Sequence, residues 1–429
     1  MKYPMFKIAF ISEHASPLAS LGGVDTGGQN VYVSQLAQFL TKHGYHIDIY
    51  TRRDDHMQKE VVNWRPGIRV IHVNAGPKKQ VPKEELLPYM DEFGTNMLAF
   101  MEEQHINYDL IHANFFMSAV VAAQIKETLD IPYVVTFHAL GYIRTIYQGS
   151  NDRFPPERVD IEKEVARKAD YVIAECPQDR DDLLQHYQIE PEKIVIIPCG
   201  FSEREFYPIN KGLARKFLNL QADVPVLLQL GRMVPRKGVD NVIKGIAKLK
   251  MLGKRARLVI VGGEADLDSC PEIARLKKIA AEGDILDDIH FAGRQGRDKL
   301  KFYYAAADVF ITTPWYEPFG ITPLEAMACG TPVIGSNVGG IKYTVIDGET
   351  GALVNANDPD QLAEKINELA FDQDKLARLS MNAIKRVNQH FTWESVAHKM
   401  SSLYQKMISL NVKNNMIISN SSNKDTKAA

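Results

Sequence analysis

Apolar positions along the chain fall into two repeating kinds of segment. Short, nearly uninterrupted apolar runs occur at residues 7–12, 46–51, 69–73, 110–113, 133–137, 171–174 and 194–197. Between them lie longer stretches in which apolar residues return every three or four positions, such as 29–42, 118–128 and 157–168. The short runs are four to six residues long and rich in Val and Ile. They therefore read as strands covered on both faces, with the longer stretches as helical crossovers. The pattern then starts afresh. A second series of strands is predicted at 226–230, 257–261, 289–292, 309–312, 333–335 and 352–354, with helices at 240–251, 271–282, 297–306 and 322–328. Strand–helix alternation carried through twice predicts an α/β protein of two Rossmann-like, doubly wound parallel-sheet domains.

The two series meet at Pro198-Cys-Gly-Phe-Ser-Glu-Arg-Glu-Phe-Tyr-Pro-Ile-Asn210, where two prolines and a glycine interrupt any regular element. The expected organisation is a first domain over 1–205 and a second over 206–390. A terminal helix over 391–410 is expected to return to the first domain, followed by a disordered tail over 411–429, rich in Asn, Ser and Lys. In such sheets ligands bind beyond the carboxyl ends of the strands, so the domains should face each other across a cleft walled by strand-to-helix loops.

Composition narrows the function. Over 429 residues, 51 Lys plus Arg stand against 53 Asp plus Glu, without the basic excess of a dedicated nucleic-acid binder. Cys176, Cys199, Cys270 and Cys329 are too widely spaced for a zinc knuckle or a CxxC pair, and their scarcity suits a reducing compartment. No run reaches about 18 apolar residues, and the first is too short for a secretory signal. A cytoplasmic location is the expectation.

Four loops carry candidate chemistry. In Leu21-Gly-Gly-Val-Asp-Thr-Gly-Gly-Gln-Asn30, four glycines directly before a helix leave backbone amides free to approach an anion, with the helix N-terminus adding positive partial charge. Neither GxxxxGK[ST] nor G-x-G-x-x-G is present, which excludes a P-loop and weakens a dehydrogenase. After strand 226–230, Gly231-Arg232-Met-Val-Pro-Arg-Lys237-Gly238 places a guanidinium fork and an ammonium on one loop, suited to a diphosphate. In Trp315-Tyr-Glu317-Pro-Phe-Gly-Ile-Thr-Pro-Leu-Glu325, two carboxylates flank a helix start, each able to accept from a diol. His138 ends a strand in Thr136-Phe-His138-Ala-Leu-Gly141; His72 and His112 are weaker candidates, and Asp266 with Asp268 reads as solvated surface. No cluster calls for a metal.

Together these loops resemble the retaining, nucleotide-sugar-dependent glycosyltransferases of the GT-B fold (glycosyltransferase group 1, family four), a group that includes sucrose-phosphate synthases and the inositol-phosphate-using enzyme of mycothiol synthesis. The likeness runs from about residue 7 to 400 and rests on Asp25-Thr-Gly-Gly-Gln-Asn30, Thr136-Phe-His138, Gly231-Arg232…Lys237-Gly238 and Glu317-Pro-Phe-Gly…Glu325-Ala-Met-Ala-Cys-Gly-Thr-Pro332. The resemblance implies that Gly27 and Gly28 meet the donor's distal phosphate and that Arg232 and Lys237 neutralise the diphosphate. It further implies that Glu317 and the backbone of Phe319, Gly320 and Ile321 hold the hexose, that Glu325 binds the ribose, that Arg294 flanks the base, and that His138 contacts the sugar. Catalysis is then assigned to His138, Glu317, Arg232 and Lys237, with no cofactor and no metal.

At the acceptor end the resemblance implies Asn30, Lys83, Phe115 and Arg158. Phe115 and Ala139 stand where the inositol-phosphate-using relative carries Tyr and Thr, and the two lost hydroxyls argue against a phosphorylated inositol. Lys78, Lys79, Lys83, Arg144 and Arg153 in segments 75–89 and 142–156 would suit an anionic acceptor or weak contact with an anionic membrane surface.

The reading is thus transfer of a hexose from a nucleoside diphosphate, UDP before GDP, to a hydroxyl acceptor, by same-face attack assisted by the leaving diphosphate. Two alternatives share the fold: a nucleotide-sugar 2-epimerase, for which only His138 offers a titrating group, and a binding protein without turnover.

Overall fold

The computed structural model describes residues 6–19, 27–220, 223–263 and 270–425, with side chains as far as Val412. In the first half, strands β1 (Phe6–Ile11), β2 (Tyr45–Arg52), β3 (Val61–Arg65), β4 (Ile68–Val73), β5 (Leu110–Asn114), β6 (Tyr133–Thr136), β7 (Tyr171–Ala174) and β8 (Ile194–Ile196) form one sheet, ordered β3-β4-β2-β1-β5-β6-β7-β8. Helices α1 (Gly28–Lys42), α2 (Met90–Glu103), α3 (Phe116–Leu129), α4 (Gly141–Gln148), α5 (Arg158–Lys168) and α6 (Pro177–Tyr187) connect them. Every pairing is parallel except β3 against β4, an antiparallel edge absent from the sequence reading. Its residues Val-Val-Asn-Trp-Arg are half-exposed, so they lack the apolar run that marks the buried strands.

The second half repeats the plan. Strands β9 (Val226–Leu230), β10 (Arg257–Val261), β11 (Ile289–Gly293), β12 (Val309–Thr312), β13 (Val333–Ser336) and β14 (Gly351–Val354) run parallel in the order β11-β10-β9-β12-β13-β14. Helices α7 (Lys211–Phe217), α8 (Val239–Met251), α9 (Pro271–Glu282), α10 (Arg297–Ala306), α11 (Ile321–Ala328), α12 (Ile341–Thr344), α13 (Pro359–Ala370), α14 (Gln373–His390) and α15 (Trp393–Asp425) complete it. Counted within this sheet the order is 3-2-1-4-5-6, the dinucleotide-fold arrangement. In both sheets the order reverses beside the first strand, between β1 and β5 and between β9 and β12. The crevices at those reversals are where loops diverge and a ligand can enter.

Buried apolar faces hold the layers together. Helix α1 turns Val31, Tyr32, Val33, Leu36, Ala37 and Leu40 inward, and a fully buried Leu contributes about 2 kcal/mol. The two halves are joined twice. The chain crosses forward after β8 and back again at the start of α15. At the crossing the Phe201 N–H donates to Phe391 O at 2.9 Å, and the Trp393 N–H donates to Phe201 O at 3.1 Å. Trp393, fully buried, packs edge-on against Tyr32, and the Tyr404 hydroxyl lies 2.6 Å from His112 Nδ1 in the first sheet.

Helix α15 continues past Leu410 to Asp425, where composition predicted a tail from Asn411. Once a helix is nucleated, each further residue adds a hydrogen bond at little cost, so polar composition alone does not end it. Among the described residues no helix is long and apolar enough to cross a membrane.

Candidate active site

A cavity of about 870 Å³ lies between the carboxyl edges of the two sheets. The first half contributes the ends of β1, β5, β6 and β7, through His14, Phe115, His138 and Glu175, and the start of α1, through Gly27, Gly28 and Asn30. The second half contributes the loop after β9, with Arg232, Arg236 and Lys237, and the segment after β12, with Glu317 to Ile321 and Glu325. Lys83, Arg144, Arg294 and Arg297 also line the cavity. Thus Gly27, Gly28, His138, Arg232, Lys237, Arg294, Glu317, Phe319, Gly320, Ile321, Glu325, Asn30, Lys83 and Phe115 all line one cavity. Of the glycine-rich loop, residues 21–26 lie outside the described residues, as do Asp266 and Asp268.

Arg158 does not join them. It is buried, its Nε donating to Glu162 at 2.7 Å and its Nη2 to Ala139 O at 2.5 Å. Its guanidinium lies 4.5–4.9 Å from the ring centroids of Phe115, Phe116 and Phe154. It faces a separate cavity of about 250 Å³ beneath α4. The physical reason is its surroundings: the Glu162 carboxylate, the Ala139 carbonyl and three aromatic rings already hold the guanidinium. Asn30 reaches the cavity, but its amide is engaged, accepting from Gly27 N–H at 2.9 Å and donating to Ser16 O at 3.0 Å. It ties the helix start to the loop after β1.

The cationic wall is organised around one carboxylate. Lys237 Nζ is in direct contact with Glu317, and Arg236 lies 3.8 Å from the same oxygen. Burial lowers the Lys237 ammonium to about 8, with the neighbouring arginines adding to the effect against the pull of Glu317. Burial by itself would raise Glu317, yet Lys237 and Arg236 hold it below its ordinary range. The Glu317 shift follows from the surplus of positive charge around it, whereas the Lys237 shift follows first from burial, with that surplus adding to it. Such a wall is poised for an anion.

Backbone shape sets the rest. Gly340 is essential for close approach: a Cβ there would lie 2.3 Å from Phe319 Cα and from its carbonyl oxygen, so the loop carrying Glu317 rests on bare backbone. Across the cavity, Phe115 and His138 adopt positive φ, +90° and +59°. For a bulky aromatic that is a strained conformation, of the kind that persists where surrounding structure enforces it. His138 Nε2 lies 3.1 Å from Asn114 Oδ1, and Nδ1 3.6 Å from Glu175. The other two histidines considered are structural. His112 is enclosed by Tyr404 and Thr136, burial pushing it down to about 3, and His72 Nδ1 lies 2.6 Å from Lys59 O.

Comparison with known proteins places the fold in a family. Residues 26–204 match the family model described as Glycosyltransferase Family 4, and residues 210–386 match Glycosyl transferases group 1. The chain is 32% identical over 408 residues to a protein of Corynebacterium glutamicum named D-inositol 3-phosphate glycosyltransferase, covering 94% of this chain and 97% of the relative. The chain belongs to the GT-B glycosyltransferases. The protein of the same name from Corynebacterium diphtheriae is 30% identical over 412 residues, 95% of this glycosyltransferase and 96% of the relative. A solved sucrose-phosphate synthase from Thermosynechococcus elongatus superposes with a TM-score of 0.87 at 34% identity, covering 94% of this chain and all of that one. An Anabaena protein solved with UDP and glucose shares the fold, with a TM-score of 0.73 at 20% identity over 94% of this chain and all of that one.

The glycosyltransferase site also contains residues that the sequence reading passed over. Arg236 adjoins Lys237, but loop sequence does not tell which of three cations reaches Glu317. His14 lies three residues beyond β1, next to Glu13, its Nδ1 2.6 Å from the carboxylate. Glu175 directly follows β7 and accepts from the Cys199 thiol at 2.7 Å. Position just beyond a parallel strand was the available signal for His14 and Glu175. Arg297, at the start of α10, binds Glu325 and had no motif to mark it.

Proposed function

We propose that this glycosyltransferase transfers a hexose from a UDP-linked donor to a hydroxyl acceptor with retention at the anomeric carbon and without a metal. The observation that carries the reading is the pairing of walls across one cavity: glycine amides at the start of α1 on one side, Arg232, Arg236 and Lys237 on the other. A diphosphate bridging them would meet a helix N-terminus and three cations at once. Among the described residues no group of three or more His, Cys, Asp or Glu could hold a metal ion. In the proposed reading the protein's own cations meet the leaving-group charge.

In this reading Arg232, Lys237 and the Gly28 amide stabilise the charge that grows on the diphosphate as the glycosidic bond breaks. Glu317 and the amides of Phe319, Gly320 and Ile321 hold hexose hydroxyls, Glu325 accepts from the ribose, and Arg294 flanks the base. His138 contacts the sugar from the first domain. The acceptor enters past Lys83 and Phe115, and its hydroxyl proton passes to the departing phosphate oxygen on the face the leaving group vacates. Water is excluded as the halves close, with Tyr147 stacked on Tyr316 at 5.7 Å and Lys342 reaching Gln178 at 2.7 Å across the gap.

The test is release of UDP from UDP-glucose by the purified protein, alone and with fructose 6-phosphate or inositol 3-phosphate as acceptor. R232A and E317A should each lower turnover by about a hundredfold or more, and EDTA should leave it unchanged. Undiminished turnover in both variants would refute the site. Formation of an epimerised nucleotide sugar without acceptor would favour isomerase chemistry instead.

A further inference from the structure

Glu325 is held from two sides before any ligand arrives. Its Oε2 accepts from the Tyr304 hydroxyl at 2.9 Å, and its Oε1 lies 3.1 Å from Arg297 Nη1. The carboxylate is buried, and burial raises its pKa against the pull of Arg297. Arg297 has a second anchor: its Nε donates to Glu205 at 2.6 Å, and its guanidinium sits 4.9 Å from the centre of the Phe206 ring. Glu205 and Phe206 belong to the forward crossing between the halves. Glu205 in turn accepts from Gln35 Nε2 at 3.2 Å, on the helix whose first residue is Gly28.

We infer that Arg297 is a positioning residue that fixes Glu325 for a vicinal diol and ties that carboxylate to the interdomain crossing through Glu205. The inference rests on the reading of Glu325 as the ribose contact. An ionised carboxylate offers about four acceptor sites. Tyr304 and Arg297 occupy one on each oxygen, which leaves two, the number a pair of neighbouring hydroxyls needs. Arg suits the task because its planar fork holds two carboxylates on different edges in one fixed geometry, which an ammonium cannot do. Without Arg297 the carboxylate would lie buried with no countercharge, and uptake of a proton would convert one acceptor into a donor. The relay Gln35–Glu205–Arg297–Glu325 also places the ribose contact in register with α1, which carries the diphosphate amides. Both ends of one nucleotide are thus set from a single chain of contacts.

The test compares UDP with 2′,3′-dideoxyuridine 5′-diphosphate, which lacks the diol, by titration calorimetry on the full-length protein. The unaltered enzyme should prefer UDP by roughly tenfold to a hundredfold, the range expected for hydrogen bonds to a charged acceptor. In R297M that preference should fall below about threefold, while affinity for the dideoxy ligand changes less than about twofold. E205A alters a partly exposed side chain away from the ribose and leaves Glu325 paired with Arg297. It should lose part of the preference, keeping about a third or less. A merely structural role would weaken both ligands equally; that result, or full preference retained in both variants, overturns the inference. If the unaltered enzyme itself binds both ligands equally, the ribose assignment of Glu325 falls first and takes the inference with it.

Discussion

The lowered ammonium of Lys237 makes donor affinity depend on pH in a direction that can be worked out. In the free enzyme the group gives up its proton at about 8 rather than 10.5. A diphosphate against it would restore the ordinary preference for charge, so binding above pH 8 must take up a proton. Affinity is therefore constant below the free-enzyme value and falls as pH rises through it. At pH 9 about a tenth of the free enzyme carries the charged form, so the Kd for UDP should be about eightfold higher than at pH 7.5, about 1.3 kcal/mol. Calorimetry in buffers of different ionisation enthalpy should find about 0.9 proton taken up at pH 9. Phosphate ionisation does not interfere, because its second step lies near ~6. One other buried group titrates in this window: burial pushes the Asp179 carboxyl up to about 8, and its ionisation too would oppose an anion. The variant K237M separates the two, since it should bind more weakly and lose the slope. An unaltered enzyme with constant Kd from pH 7.5 to 9.5, or a slope that survives in K237M, would refute the reasoning.

Two further substitutions probe shape rather than charge. G340A drives a methyl into the Phe319 backbone, where nothing flexible can yield, and should cost about 3 kcal/mol or more by denaturant titration while abolishing UDP-glucose turnover. G28A meets only Ile321 Cδ1, at 3.9 Å, so its Tm should be unchanged or slightly raised. Its turnover should nonetheless fall about tenfold or more, because the new methyl stands where the phosphate approaches the amide; wild-type turnover would remove that amide from the mechanism.

Elements whose sequence carries its own period were legible. Residues 171–174, 226–230, 257–261 and 309–312 were read as strands, and 271–282 and 297–306 as helices, with the ends the structure gives them. These are apolar runs or amphipathic stretches bounded by Pro, Gly or charge. Helices α2, α4, α6 and α7 escaped notice. α2 carries Gly94 and Thr95 inside its period, and α6 starts from Cys176, whose sulfur accepts from the Asp179 N–H in place of the usual hydroxyl or carboxylate cap. At the cavity, the residues of the loop motifs come together because each motif follows the carboxyl end of a strand. Side-chain direction was the part no spacing encodes. Arg158 turns under three aromatic rings, and Arg297 reaches back to a carboxylate 28 positions later in the chain, on another helix. Both outcomes depend on packing between distant segments.

Finally, the double crossing between the halves limits how they can move. A single tether would leave the second sheet free to twist and slide. Two strands of chain bonded to each other at Phe201 and Phe391–Trp393 behave like a door hung on paired pins, able to swing about one line and little else. Any swing about that line would return Arg232 and Lys237 to the same spot opposite the start of α1, so in the mechanism proposed above alignment would be set by the hinge rather than found anew by every substrate.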